Sequence, residues 1–116
     1  VAVYGIGLED DTVSSTLQET TRYLEHFEQY FGINYTLPKL DIVTTTKFAF
    51  GGMENWGAIL IPNSSLTEGC DWLRSEEVIA HEVIHQWLGN LASNFWWTAM
   101  WVQEAPTYYL AFLASS

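Results

Sequence analysis

An α+β fold, with a small sheet packed on helices, is the architecture this sequence predicts, and three observations carry it. Two long stretches, from about Val13 to Phe31 and from Ser75 to about Leu91, repeat apolar residues at helical spacing. Three short runs, Val1 to Ile6, Leu40 to Thr46 and Ala58 to Ile61, are β-branched or continuously apolar and too short for helices. Glycines and prolines separate the two kinds of segment.

Val1 to Ile6 reads as an opening strand. Asp10, Asp11 and Thr12 supply helix-starting chemistry, and Val13, Leu17, Leu24, Phe27, Tyr30 and Phe31 then recur at helical spacing. Gly32 suits the left-handed position that ends a helix. His26, on that helix, reads as a surface or packing histidine. Leu37-Pro38 breaks the chain before the strand Leu40 to Thr46. Phe48 to Gly57 holds Gly51, Gly52 and Gly57 and reads as a shaped loop or bulged edge strand. Pro62 stops the strand Ala58 to Ile61, and Asn63 to Asp71 is a polar loop.

Ser75 is a candidate N-cap for the second helix, and Glu76 and Glu77 suit the positive end of its dipole. Val78, Ile79, Ile84, Leu88 and Leu91 are its expected apolar contacts. A dense aromatic stretch follows, with Phe95, Trp96, Trp97, Met100 and Trp101. Glu104 to Leu113 is a last helix, in which Pro106 is tolerable if it falls in the first turn. Because the chain stops at Ser116, soon after the apolar run of this helix, it is expected to be a truncated piece. No repeat, low-complexity tract or linker interrupts it.

Composition excludes several classes. Nearly half of the 116 residues are apolar and six are tryptophan, which is globular rather than disordered. Four basic against fourteen acidic residues give a net charge of −10. That balance repels nucleic acid and anionic lipid. It accommodates a cationic metal and substrates bearing an amine, although a solvated acidic surface explains most of the charge. Cys70, the single cysteine, allows no internal disulfide and has no neighbour that marks it as a nucleophile. No apolar run is long enough to span a bilayer, and no signal segment opens the chain. Two sequons, Asn34-Tyr35-Thr36 and Asn63-Ser64-Ser65, tilt the expected location toward an extracellular or membrane-anchored ectodomain rather than the cytoplasm.

The chemistry is concentrated in His81-Glu82-Val83-Ile84-His85, with Glu104 following after eighteen intervening residues. Helix positions i and i+4 share a face, so both imidazoles can reach one point. Two imidazoles and one carboxylate suit zinc, with an open fourth position for water; cobalt or manganese could occupy the same donors in vitro. Glu82 lies beside the first histidine, where a general base is needed. The bland alternative is two unrelated histidines on a core helix. It weakens because an acidic residue follows on a second predicted helix.

A second feature is Gly51-Gly52-Met53-Glu54-Asn55-Trp56-Gly57. Alone it is a glycine-rich turn with a chance carboxylate. Together, in this order, the two motifs resemble the gluzincin zinc aminopeptidases, the family that includes membrane alanyl, puromycin-sensitive and leukotriene-hydrolysing enzymes. Its hallmarks are Gly-x-Met-Glu-Asn and a His-Glu-x-x-His helix with a later glutamate. Phe27 to Leu40, His85 to Leu91 and Trp96-Trp97 are also similar to family sequence, so the resemblance covers nearly the whole chain.

The resemblance implies a part of a thermolysin-like catalytic domain spanning residues 1–116, truncated at both ends relative to the family. It implies a zinc metallo-aminopeptidase that removes N-terminal residues from peptides through zinc-activated water. His81, His85 and Glu104 would hold one zinc ion, and Glu82 would take the proton from water and return it to the leaving amine. Glu54 would bind the free α-amine of the substrate. Gly51, Gly52, Met53 and Asn55 would line the peptide's path, with backbone groups pairing to it. Glu77, one turn before His81, is either a partner of a ligand histidine or an ordinary N-terminal charge of the helix. The implied partner is a peptide with a free N-terminus, and any membrane association would come from regions outside this chain.

Departures from the family pattern keep rivals open. The family's Asn-Glu-Gly-Phe-Ala is here Gln103-Glu104-Ala105-Pro106-Thr107, and Ala99 stands where an acidic residue is common. The family's transition-state tyrosine is not in this chain, so the isolated piece is expected to be weakly active or inactive. A zinc endopeptidase would cleave N-terminally blocked peptides. A non-catalytic binding module that keeps the fold would hold metal without turnover. An epoxide-hydrolysing relative is the third alternative.

Overall fold

The computed structural model describes residues 1–67 and 75–116. Strand β1 (Ala2–Tyr4) is followed by helix α1 (Asp10–Phe31), then β2 (Asp41–Thr45) and β3 (Ala58–Pro62). Helices α2 (Ser75–Ile84) and α3 (Trp101–Ser115) complete the fold. The three strands form one parallel sheet in the order β1-β2-β3, so the mixed helix-and-sheet class expected from sequence is present. Asp41 pairs with both Ala2 and Ala58, which sets the register across the sheet.

Parallel neighbours need crossover connections. Helix α1 makes the first one, and residues 46–57 make the second without any helix. That second connection is the glycine-rich segment expected to be a shaped loop. It folds back so that Met53 forms an antiparallel bridge with Leu60 at the free edge of β3. Gly57, at φ +84°, turns the chain into β3, and a side chain there would collide with Leu37.

Alternation puts Ile42 and Thr44 of β2, and Ile59 and Ile61 of β3, into the core. Helix α2 covers them, and every residue from Val78 to Ile84 is buried, His81 and Glu82 included. A helix buried all round is a central element, and here it carries the polar motif into the middle of the molecule.

Several expectations are corrected. Helix α1 buries Thr16, Thr20, Tyr23 and Phe27, whereas Leu17 and Tyr30 are exposed. Threonines serve on that face because they are small, and Thr20 satisfies its hydroxyl by donating to the Thr16 carbonyl at 2.7 Å. Gly32 ends α1 at φ +64° as expected. Helix α2 is shorter than Ser75 to Leu91: beyond Ile84, Gln86 and Trp87 donate to carbonyls three residues back, and Leu91 is exposed. Helix α3 starts at Trp101 rather than Glu104, because the Met100 carbonyl already accepts from Gln103 and Glu104. Pro106 therefore falls in the second turn, where its ring cannot donate to Val102. The later part of the Asn63 to Asp71 loop, the segment just before Ser75, and Cys70 lie outside the described residues.

Candidate metal centre

Helix α2 supplies His81 and Glu82 from its last turns, and His85 follows immediately, its N–H still bonded to the His81 carbonyl at 3.2 Å. The helical period therefore brings both imidazoles to one side. Glu104 comes from the first turn of α3, which packs across α2 through buried Thr107 and Ala111. There its carboxylate also faces the positive end of the α3 dipole.

One ligand atom from each of His81, His85 and Glu104 lies within 4.8 Å of the others. The two Nε2 atoms are 3.0 Å apart, and each is 3.4 Å from a different oxygen of Glu104. His85 Nδ1 lies 2.8 Å from the Leu88 carbonyl, so Nδ1 carries the proton and Nε2 presents its lone pair to the cluster. Burial, and then the neighbouring His85, hold His81 down at about 3. A neutral His81 forms no ion pair with Glu104, so the 3.4 Å contact is one between donor atoms rather than a salt bridge. Two imidazole nitrogens and a carboxylate, converging without a cation of their own, fit a divalent metal of the zinc type.

Glu82 sits beside this cluster with only 5% of its surface exposed, and its Oε2 is buried without a hydrogen-bond partner among the described residues. Burial first, then Glu54 and Glu104, push its carboxyl up to about 8. Its side chain packs directly on the α-carbon of Gly52, where any side chain would collide with it.

These groups face a cavity of about 840 Å³. Gly51, Gly52, Met53 and Glu54 line it together with His81, Glu82, His85 and Glu104. Trp96, Trp97 and Met100 also line it, and Phe95, Trp97 and Trp101 are largely exposed. The structure thus brings together most of the residues singled out from sequence. Asn55 is not among them: it is exposed, does not line the cavity, and its carbonyl closes the turn into β3 by accepting from Ala58 at 2.9 Å. Met53 is on the wall, but its N–H and carbonyl are already taken by Leu60, at 2.8 and 2.9 Å. Only its side chain is available to a peptide, while Gly51 and Gly52 keep their backbone groups. Glu77 makes no hydrogen bond to His81 among the described residues. It lines a small cavity of about 220 Å³ with His81 and Tyr108.

Sequence reading missed the residues that hold the loop. Gln86, 2% exposed, donates to the Glu54 carbonyl at 3.3 Å and accepts from the Gly57 N–H at 3.1 Å. Asn90 donates to the same Glu54 carbonyl at 2.7 Å. The available signal was a glutamine in the otherwise apolar stretch after His85, since a buried amide must be hydrogen-bonded. Tyr108 was also missed; its ring lies 4.3 Å from that of His81.

The model of the peptidase family M1 domain matches residues 15–116. Endoplasmic reticulum aminopeptidase 2 of Bos taurus is 40% identical over 104 residues, covering 84% of this chain and 11% of the relative. Leucyl aminopeptidase of Saccharolobus solfataricus is 37% identical over 106 residues, covering 87% of this chain and 14% of the relative. Glutamyl aminopeptidase of Homo sapiens is 37% identical over 100 residues, covering 81% and 10%. The chain thus spans between 10% and 14% of the length of these three relatives.

Proposed function

The chain belongs to peptidase family M1, and on that premise we propose that it is part of the thermolysin-like catalytic domain of a zinc aminopeptidase, one that removes N-terminal residues from peptides. The observation that carries this reading is the convergence of His81, His85 and Glu104 beside a buried Glu82, with Glu54 on the wall of the same cavity.

His81, His85 and Glu104 would hold the zinc ion. When bound, zinc supplies Lewis acidity, which polarises a carbonyl oxygen and makes water a nucleophile at neutral pH. The remaining work falls to this chain's own groups. The Glu82 carboxylate takes a proton and later delivers it to the leaving amine. Glu54 accepts hydrogen bonds from the ammonium of the first substrate residue. An internal peptide segment has no ammonium to offer, which favours the exopeptidase reading over an endopeptidase. Gly51 and Gly52 offer backbone groups to the extended substrate.

The test compares kcat/KM of the full-length protein for a peptide with a free α-amine and for its N-acetylated form. Free-amine cleavage that is zinc-dependent and falls on blocking supports the proposal. Equal cleavage of the blocked peptide makes it an endopeptidase, and bound zinc without cleavage makes it a binding module.

A further inference from the structure

The metal ligands come from two separate elements, so something must set the distance between them. Gln103, the residue before Glu104, lies at that junction. Its Oε1 accepts from Asn94 Nδ2 at 2.9 Å. Its backbone carbonyl accepts from the buried Thr107 hydroxyl at 2.7 Å, and its N–H donates to Met100 at 3.0 Å. Both the side chain and the main chain of Gln103 are therefore held.

The other end of the junction is Gly89, four residues after His85, at φ +118°. A Cβ there would lie 3.1 Å from Gln103 Nε2 and 3.3 Å from His85 Nδ1. The Gln103 carboxamide and the His85 imidazole thus press on the same face of Gly89. A continuous chain of contacts runs from Asn94 through Gln103 and Gly89 to His85. Glu104 is attached to it at Gln103.

We infer that Gln103, gripped by Asn94 and seated against Gly89 beside His85, is a positioning residue that fixes Glu104 at the separation from His85 that one metal ion requires. This rests on the reading that His81, His85 and Glu104 hold a metal. Gln103 also lines the cavity, but the role inferred for it runs through Glu104 and the Leu88–Gly89 turn. Outer contacts of this kind are typically worth 10- to 100-fold in metal affinity.

Cobalt(II) alone is the probe, titrated into the metal-free full-length protein and read by affinity and by its visible spectrum, which reports ligand geometry. The comparison uses Gln103→Met, which keeps bulk against Gly89 but loses the acceptor. Asn94→Ala, in which Gln103 is intact, and the double variant complete the set. The expected result is a loss of roughly ten-fold or more in affinity and an altered spectrum in each single variant, with no further loss in the double variant. Wild-type affinity and spectrum in either single variant overturn the inference, even if thermal stability falls. So does an additive loss in the double variant. Failure of the wild-type protein to bind cobalt at all overturns the metal reading instead, and so distinguishes the two.

Discussion

Gln86 donates to the main-chain carbonyl of Glu54 at 3.3 Å. The residue after the second histidine therefore holds the residue expected to meet the substrate amine. Its carboxamide also accepts from Gly57, so the loop and the turn that follows helix α2 are joined at both ends of the Glu54–Gly57 segment. Changing Gln86 to Met leaves the part-buried Gly57 N–H without its acceptor, at a cost of about 1–3 kcal/mol, while the Glu54 carbonyl keeps Asn90 as its donor. We predict lower stability and a roughly ten-fold rise in KM for free-amine peptides, with zinc content unchanged. Steady-state kinetics beside metal analysis checks this; an unchanged KM contradicts it.

Glu82→Gln keeps the shape of the side chain but removes the proton acceptor. Hydrolysis is expected to fall by roughly 10²- to 10⁴-fold in kcat while zinc is retained, because general bases contribute on that scale. Retained activity in the zinc-loaded variant would move the base elsewhere.

Stability of the metal-free protein should depend on pH through two groups of opposite sign. His81 falls from 6.5 to about 3 on folding, because burial and His85 disfavour its charge. Its contribution is present above pH 6.5 and is lost as pH falls toward 3. Glu82 rises from 4.5 to about 8, because burial, Glu54 and Glu104 favour its neutral form. Its contribution is present below pH 4.5 and is lost as pH climbs toward 8. Glu82→Gln cannot ionise, so its stability advantage over wild type should widen between pH 4.5 and 8. Denaturant midpoints across that range, in chelator, test the sign; a constant gap contradicts it.

The two sequons should behave differently. Asn34 is exposed, whereas Asn63 donates to the Ile6 carbonyl at 3.0 Å and its Oδ1 is buried. Expressed in a glycosylating cell, the protein should carry a glycan at Asn34 and none at Asn63. Mass spectrometry of Asn34→Gln and Asn63→Gln reads this directly. A mass loss in the Asn63 variant contradicts it.

Much of the site was legible because its signal is local. His81, Glu82 and His85 lie within one helical turn or so, and the helical period converts that spacing into a shared face. The strands around Ile42 and Ile59 were legible because a short β-branched or apolar run is a local signal too. The parallel register was not legible, since it depends on where α1 docks. The stripe on α1 was misread because Thr16 and Thr20 are polar in composition but small enough to pack closely. Gln86, Asn90 and Gln103 escaped because their partners, at Glu54, Gly57 and Asn94, are fixed only by the tertiary fold. Among the described residues no helix is long and apolar enough to cross a membrane.

The central claim is that His81, His85 and Glu104 bind one zinc ion. The most direct measurement is zinc stoichiometry and affinity, by metal analysis and calorimetry, on the full-length protein and on His85→Ala. Near-equimolar zinc that is lost in the variant is the predicted result. A folded wild-type protein that takes up no zinc, or a His85→Ala variant that keeps it, would contradict the account.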